Sequence, residues 1–300
     1  MPRTVLLIDD DRLQFRITEA HFGAFQAERF ALEWAGSYEE GIAKLATGNY
    51  TACLLDYQLG ERDGLELIRE AVAGGNRTPI VFLTAETADR VDIAAMNAGA
   101  LDYLVKGEIT PRMLERSLRY ALKLGDTLEA LHQLATRDEL TGLMNRREFE
   151  RILNEERERA LRFGHPLGLI MFDVDRFKAI NDGHGHPAGD AVLREVARLL
   201  AREVRTVDRV ARFGGEEFAV LLVQTDATGT TDVAARLCAT IAGESFTRAG
   251  VAGLRVTVSA GVASLPNDAR TTTELVVAAD KSLYAAKERG RNRVVAFSEL

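Results

Sequence analysis

The first 110 residues repeat one pattern five times: a short apolar run, then a stretch with helical periodicity. The apolar runs do not alternate with polar residues, which is typical of strands buried on both faces. Five strands, each followed by a helix, predict a doubly wound parallel sheet, because parallel neighbours need a crossover between them. In chain order the runs are TVLLI, ALEWAG, ACLLDY, PIVFLT and DYLVK.

Acidic residues stand where these strands end. Asp9 and Asp10 follow the first strand and Asp56 follows the third. The carboxyl ends of the strands share one edge of the sheet, and three carboxylates there would repel one another unless a cation such as Mg²⁺ neutralised them. Thr84 and Lys106 end the fourth and fifth strands at the same edge. The cluster therefore predicts a site for an anion, such as a phosphoryl group on Asp56, although each residue alone is also ordinary at a strand end.

The stretch from Pro111 to Asp138 is predicted to be one long helix, since Gly125 is its only turn residue. A row with spacings of three and four runs along it. Two structures fit this row: a helix packed on its own domain, or a helical stalk that pairs with a second chain. The row consists of Leu114, Ser117, Ala121, Leu124, Leu128, Leu131 and Ala135.

The second half has the order strand, helix, hairpin, helix, strand. This order predicts a ferredoxin-like α+β core, βαββαβ, with helices on one face of an antiparallel sheet. Its first strand, PLGLIMFDVD, ends in acids, and RVTVSAGVASL alternates like a later strand. The hairpin contains RFGGEEF, residues 212–218, whose two glycines are typical of a tight turn that needs positive φ.

The acids around this hairpin suggest a second cation site. Asp173 ends a strand that should lie beside the hairpin, so it can sit opposite Glu216 or Glu217, which point to opposite faces. Gly214 and Gly215 would let phosphates approach the backbone. Two divalent cations there would activate a sugar hydroxyl and stabilise a leaving pyrophosphate. A solvated hairpin tip with two acids is the alternative.

The polar segment RFKAINDGHGHPAGD follows Asp173. Asp190 can accept hydrogen bonds from guanine N1–H and N2–H₂, and Asn181 can satisfy another edge of the base, whereas adenine would leave these groups unpaired. A turn-forming loop is the alternative. His184 and His186 are weak zinc candidates, because no convincing third or fourth ligand accompanies them.

Composition limits the class of protein. The net charge of −7 argues against a general nucleic-acid or membrane-surface binder. No apolar run approaches the roughly 18 residues of a membrane span, and the two cysteines imply no disulfide framework. We therefore expect a cytoplasmic protein of about two domains.

Residues 3–120 resemble a response-regulator receiver domain, which has a flavodoxin-like fold, through the strand-end acids of TVLLIDDD and ACLLD and the LVK strand end. The resemblance implies that Asp56 accepts a phosphoryl group from a cognate histidine kinase. It also implies a Mg²⁺ site formed by Asp10, Asp56 and the carbonyl of Gln58, with Asp9 behind them.

The receiver resemblance implies three further roles. Thr84 would reorient towards the phosphate, Lys106 would pair with it, and Tyr103 would be the aromatic switch. Gly60 and Gly107 depart from the usual pattern, because proline is common at both positions. Either change could alter loop rigidity or phosphate lifetime, but neither removes a charged group.

Residues 136–300 resemble the GGDEF diguanylate cyclase family, whose members condense two GTP into cyclic di-GMP and two pyrophosphates. The resemblance implies that Asp173, the carbonyl of Val174 and Glu216 hold Mg²⁺, or Mn²⁺ in its place. Glu216 would also assist deprotonation of the 3′-hydroxyl, with Glu217 close by. The matching segments are RDELTGLMNRREF, FDVDRFKAINDGHGHPAGD, RFGGEEF, VSAGVA and ADKSLYAAKERGRNRV.

The same resemblance assigns the substrate contacts. Asn181 and Asp190 would read guanine, while Lys178, Lys287 and Arg291 would neutralise phosphates. The other residues expected at the nucleotide are His186, Gly214 and Gly215.

The segment RTVD, from Arg205 to Asp208, resembles the family's inhibitory RxxD site, where product binds as an intercalated dimer. The alternative is a weak surface ion pair. Because the product has two-fold symmetry, two catalytic domains must face each other, which predicts a homodimer or a higher oligomer. The predicted domains are 1–120 for the receiver, 111–138 for a helical linker continuous with its last helix, and 139–300 for catalysis.

Two other functions fit parts of the second half. A catalytically silent receptor would bind cyclic di-GMP through Arg205 and Asp208, but the intact acids at Asp173 and Glu216 argue against it. Another palm-fold enzyme would use ATP or a mixed pair of nucleotides, which Asp190 disfavours.

Overall fold

The computed structural model describes residues 3–85, 89–246 and 254–300. The chain divides into two compact units, Met1–His132 and Gln133–Leu300, and the division falls within one long helix. Across the three described ranges, no helix is both long enough and apolar enough to cross a membrane.

The main sheet of the first unit has five strands, which coincide with the five predicted apolar runs, and β4 and β5 form a separate two-stranded sheet. Its elements are β1 (Arg3–Ile8), α1 (Arg12–Gly23), β2 (Phe30–Ala35), α2 (Tyr38–Ala46), β3 (Ala52–Asp56), β4 (Gln58–Leu59), β5 (Arg62–Asp63), α3 (Gly64–Ala73), β6 (Ile80–Thr84), α4 (Asp89–Ala98), β7 (Asp102–Val105) and α5 (Pro111–Thr136). The main sheet is parallel throughout, in the order β2-β1-β3-β6-β7. The prediction of a doubly wound parallel sheet is confirmed.

Both faces of this parallel sheet are buried. Along β1, Leu6 and Ile8 pack into one apolar cluster, whereas Val5 and Leu7 pack into the other. Successive strand residues point to opposite faces, so a continuous apolar run fills both. The strands can therefore bring their polar residues only to their ends, and this is where the candidate site lies.

The first half of α5 packs on its own unit, which is one of the two structures that its heptad-like row allowed. In the first half of the row, Leu114 and Ala121 are buried in an apolar cluster of their own unit. In the second half, Leu124, Leu128 and Leu131 are 43%, 47% and 57% exposed. The second half of the row is thus exposed to solvent.

The second unit is built on a six-stranded mixed sheet. Its elements are β8 (Met144–Asn145), α6 (Arg146–Phe163), β9 (Leu167–Val174), α7 (Phe177–His184), α8 (His186–Glu203), β10 (Arg209–Arg212), β11 (Glu217–Val223), α9 (Ala227–Gly243), β12 (Val258–Leu265), α10 (Thr272–Glu288) and β13 (Val294–Ala296). The strand order is β13-β12-β9-β11-β10-β8. The predicted βαββαβ core is confirmed, with β9 beside the β10–β11 hairpin.

The structure differs from the prediction in having helices on both faces of this sheet. Ile170 and Phe172 of β9 pack in the cluster that contains α8 and α9, whereas Leu169 and Met171 pack in the cluster that contains α6 and α10. Every residue of β9 and β12 is buried. Central strands that are apolar on both sides need a helical layer on each side.

Candidate functional site

Three carboxylates meet at the carboxyl edge of the parallel sheet in the first unit. Asp9, Asp10 and Asp56 each bring one oxygen within 4.8 Å of the others. Asp9 and Asp56 are buried, whereas Asp10 is exposed to solvent. A compact set of carboxylate oxygens with one open side fits Mg²⁺, which keeps several of its waters.

Lys106 forms ion pairs with both buried carboxylates. Its Nζ lies 2.8 Å from Asp9 Oδ2 and 2.8 Å from Asp56 Oδ1. Burial raises the pKa of Asp56 to about 6; Lys106 opposes this rise and the charge of Asp9 adds to it. Burial also raises the pKa of Asp9. The site therefore holds more negative charge than one lysine relieves.

The loop after Asp56 gives the site a backbone donor. Gly60 donates its N–H to Asp10 Oδ2 over 2.9 Å, and its φ is +67°. A proline could provide neither this hydrogen bond nor this backbone angle. The glycine that departs from the expected pattern thus orients one of the three carboxylates.

The remaining predicted residues of the first unit are Thr84, Gln58 and Tyr103, which lie on three strands and differ in burial. Thr84 is the last residue of β6 and is buried. Gln58 begins β4, two residues after Asp56, with its side chain exposed. Tyr103 lies on β7 and is 39% exposed. The closely contacting core of the site consists of Asp9, Asp10, Asp56 and Lys106.

In the second unit, strand register brings two acids together. Asp173 of β9 lies directly opposite Glu217 of β11. Directly paired residues point to the same face, and the neighbouring residues place that face under α10. Glu216 stands in the turn instead, where its carbonyl accepts a hydrogen bond from the Val174 N–H over 3.2 Å. Of the two candidate partners, Glu217 is therefore the one in register with Asp173.

Two cations offset the acids around Asp173. Burial raises the pKa of Asp173, Glu216 and Glu217, and the charge of Asp173 raises the pKa of both glutamates further. Lys287 Nζ lies 2.7 Å from Asp173 Oδ2, and Arg291 adds positive charge nearby, so both act to lower the pKa of Asp173. The three acids are not a group whose oxygens all lie within 4.8 Å of one another, as Asp9, Asp10 and Asp56 are, but neighbouring carboxylates whose charged forms are disfavoured suit a divalent cation as their partner.

The Gly-Gly turn differs from its sequence-based explanation. The positive-φ residues of the described chain do not include Gly214 or Gly215. A Cβ on Gly214 would lie 2.7 Å from Glu217 Oε2, whereas a Cβ on Gly215 would meet nothing within 4 Å. The glycines therefore serve close approach: one makes room for a carboxylate, and the other leaves the turn open.

Arg212 holds this turn from the side of the linker, a contact that the sequence analysis missed. Its Nε and Nη2 donate to the Gly215 carbonyl over 3.1 and 2.7 Å, while Nη1 donates to Asp138 Oδ2 over 3.1 Å. Asp138 lies two residues after α5 and also accepts from the Thr141 N–H over 2.9 Å. One guanidinium thus joins the segment after the helix to the candidate catalytic turn.

The residues expected to read guanine lie on α7 and α8. Asn181 Oδ1 is buried and accepts no hydrogen bond from the described residues, and a Cβ on Gly189 would lie 2.0 Å from it. A buried acceptor without a donor is costly, so this atom marks a position that a ligand donor would satisfy. Asp190 is half-buried on α8, and Lys178 and His186 are exposed.

Arg205 and Asp208 have different structural positions. The carboxylate of Asp208 is buried and accepts the N–H groups of Arg205 and Val223 over 3.0 and 3.1 Å. The side chain of Arg205 is exposed. Asp208 therefore fixes the loop, and Arg205 extends from it.

Two family models match the chain. The model described as "Diguanylate cyclase, GGDEF domain" matches residues 135–293, and the "Response regulator receiver domain" model matches residues 5–118. Response regulator PleD of Caulobacter vibrioides is 32% identical over 309 residues, which cover 97% of this chain and 65% of that protein. Diguanylate cyclase DgcM of Escherichia coli is 42% identical over 56% of this chain and 40% of its own length. The chain thus spans less than two thirds of either relative.

Solved structures match the second unit most clearly. The coiled coil and GGDEF domain of DgcB from Caulobacter crescentus, in complex with c-di-GMP, is 31% identical with a TM-score of 0.56, covering 62% of this chain and 97% of that one. Diguanylate cyclase SiaD from Pseudomonas aeruginosa, in complex with its activator SiaC, is 39% identical with a TM-score of 0.52, covering 62% of this chain and 70% of that one.

Proposed function

Since the chain belongs to the GGDEF diguanylate cyclase family and carries a response-regulator receiver domain, we propose that it condenses two GTP into cyclic di-GMP and two pyrophosphates. The observation that carries this proposal is the buried Asp173, in register with Glu217 and beside the open Gly-Gly turn. Each condensation forms a bond between a 3′ oxygen and an α-phosphorus. It breaks the bond between that phosphorus and the oxygen that leaves with pyrophosphate.

The acids around the turn would share two tasks. Asp173, the carbonyl of Val174 and Glu216 would hold Mg²⁺, or Mn²⁺ in its place. When bound, the ion favours deprotonation of the 3′-hydroxyl and stabilises the leaving pyrophosphate. Glu216, with Glu217 beside it, would take the hydroxyl proton, and burial already raises the pKa of both so that each holds a proton more readily.

Cationic side chains would bind the triphosphate. Lys287 neutralises Asp173 at 2.7 Å in this structure, and we expect it to turn to a phosphate oxygen once a divalent cation takes over that carboxylate. Arg291 and Lys178 would bind other phosphate oxygens. Asn181 and Asp190 would read guanine, because they supply acceptors for its N–H donors.

Product analysis by mass separates this function from its alternatives. The purified protein is incubated with Mg²⁺ and GTP, ATP or both, and cyclic di-GMP is expected only where GTP is present. A cyclic product that contains adenine would instead support another palm-fold enzyme. No product, together with tight binding of added cyclic di-GMP, would support a silent receptor.

We propose that a second copy of the chain packs on the exposed half of α5, within the linker proposed at 111–138, and brings two catalytic domains of residues 139–300 together. Leu131→Asp should shift a dimer towards monomer and lower specific activity about ten-fold, because burying an unpaired carboxylate is costly. Light scattering and product formation measure the two effects. Ala130→Asp, which adds the same charge outside the heptad-like row, is the control, and equal losses in both variants would contradict a specific contact.

The proposed RxxD site makes Arg205 the main contact for inhibitory cyclic di-GMP. Arg205→Ala should remove most product inhibition and leave initial rates unchanged, because its side chain is exposed and the planar guanidinium can bind guanine or phosphate. Progress curves with added product measure the change. Undiminished inhibition in the variant would reject the site. Asp208 is a poorer test, since its loss also frees two backbone N–H groups.

We propose that phosphorylation of Asp56 by a histidine kinase controls the cyclase. Thr84, Tyr103 and Lys106 would respond to the phosphoryl group at the same sheet edge, and the response alters rate only through contacts that differ between two states. Beryllofluoride should raise activity and change the packing of the dimer. Equal activity with and without it, across protein concentrations, would reject this control.

Mg²⁺ affinity at the receiver site should fall with acid. The folded pKa of Asp56 is raised to about 6, so this ligand is protonated below that pH, and binding should be about ten-fold weaker at pH 5 than at pH 7. Trp34, the one tryptophan in the chain, donates its indole N–H to the Asp9 carbonyl over 2.8 Å, so its fluorescence reports the titration. Asp56→Asn should lose most of the pH dependence, and an unchanged affinity in the wild type would contradict the assignment.

A further inference from the structure

The second acid of the FDVD segment has a role that differs from that of the first. Asp175 is 8% exposed, and its carboxylate accepts three hydrogen bonds. Ser259 Oγ donates to Oδ1 over 2.6 Å, while Thr257 Oγ1 and the Asn292 N–H donate to Oδ2 over 2.6 and 3.0 Å. Converging donors suit an acceptor-only carboxylate and leave little room for a metal ion. Asp175, which directly follows β9, therefore joins the start of β12 to the loop after α10, whereas Asp173 points to the candidate active site.

The loop that Asp175 holds has an unusual backbone. Gly290, Arg291 and Asn292 have φ values of +112°, +64° and +46° in succession. Side chains other than glycine adopt this region rarely, and such a conformation persists only where the surroundings fix it. The hydrogen bond from the Asn292 N–H to Asp175 is one fixed point, and the Arg291 N–H donates to the Ala286 carbonyl over 3.0 Å as another.

This loop carries a cation of the candidate active site. Arg291 provides one of the two fixed points through its own N–H, and its positive charge acts to lower the pKa of Asp173. Lys287, one turn earlier at the end of α10, lies 2.7 Å from the same carboxylate. The left-handed backbone thus determines where the guanidinium of Arg291 can reach.

We propose that Asp175 is a positioning residue that fixes Arg291 on the triphosphate side of the site through the Asn292 N–H. This inference rests on the proposed cyclase function. Asp175 does not itself touch the nucleotide. Its loss should weaken phosphate binding and leave recognition of the base intact, because the hydrogen bonds of its carboxylate go to β12, the residue before it and this loop, and not to α7 or α8, where the guanine contacts are expected.

Asp175→Asn keeps the size of the side chain and replaces an acceptor with an NH₂ group that faces donors. We expect affinity for a non-hydrolysable GTP analogue with Mg²⁺ to fall about ten-fold, while affinity for guanosine changes less than about two-fold. Competition binding to the full chain measures both. In an Arg291→Ala background, Asp175→Asn should add little, because the residue that it positions is absent.

The outcomes separate the inference from the function on which it rests. Equal losses for both ligands, or fully additive losses in the double variant, would overturn the positioning role. If the wild type bound neither ligand, the cyclase proposal would fail and this inference with it. If Asp175→Asn does not fold, Thr257→Val with Ser259→Ala removes two anchors and keeps the Asn292 bond, and it should give a smaller loss that is still confined to the GTP analogue. If this double variant showed no loss of affinity for the GTP analogue, the inference would be overturned.

Discussion

Asp173→Asn should lower cyclic di-GMP synthesis by about 100- to 1000-fold, since charge stabilisation by a held cation is among the largest contributions to phosphoryl-transfer chemistry. The amide keeps the shape of the side chain and removes its charge. The residue is 6% exposed, so solvent cannot replace the lost ligand. Lys287 also loses its ion-pair partner at 2.7 Å, and Glu216 and Glu217 remain as the acids near its ammonium.

The matched control for Asp173→Asn is Asp232→Asn, which removes an exposed acid on α9. It should leave activity within about two-fold of the wild type, as surface changes away from a site usually do. Initial rates and a thermal melt of both variants separate chemistry from folding. A folded Asp173→Asn protein with normal turnover would refute the cation site.

Gly261→Ala should destabilise the second unit by about 3 kcal/mol and remove most cyclase activity. A Cβ at this position in β12 would lie 2.1 Å from the Ala279 carbonyl oxygen and 2.2 Å from the Leu283 nitrogen. Both are backbone atoms of α10, so no side-chain rotation relieves the contact and the helix must move away from the sheet. Lys287, which reaches Asp173 from the end of this helix, would move with it.

Gly243→Ala provides the comparison for Gly261→Ala. It adds the same methyl group at the end of α9, where a Cβ would meet nothing within 4 Å, and its stability should change by less than about 0.5 kcal/mol. Denaturant melts give the free energies of unfolding, and GTP turnover gives the activities. A Gly261→Ala protein as stable as the wild type would show that α10 does not depend on this close contact.

The sequence located the strands because their apolar runs end in chemically distinct residues. Asp9, Asp56 and Asp173 each follow such a run, and topology alone brings the ends of adjacent parallel strands to one edge. The receiver acids could therefore be grouped before any contact was known. The apolar row of α5 could also be predicted from its spacing. Its division into a buried half and an exposed half could not, because it depends on where the core of the first unit ends.

Other features depend on register and packing that no local pattern encodes. Glu217, and not Glu216, lies opposite Asp173, and a shift of one residue in the pairing of β11 with β9 would reverse this. Positive φ was predicted for the two glycines of the turn, but neither has it. At Gly214 the structure shows instead that a Cβ would lie close to the carboxylate of Glu217. Helices cover both faces of the second sheet because its central strands are apolar on both sides, and α6 was not among the predicted elements.

The side chain of Arg212 fastens the candidate catalytic turn to the segment that follows α5. A guanidinium is planar and stiff, so it behaves as a small rigid plate held at one edge by Asp138 and at the other by the Gly215 carbonyl. Because Gly215 precedes Glu216, a shift of Asp138 would reach this candidate metal ligand through one side chain and not through the sheet.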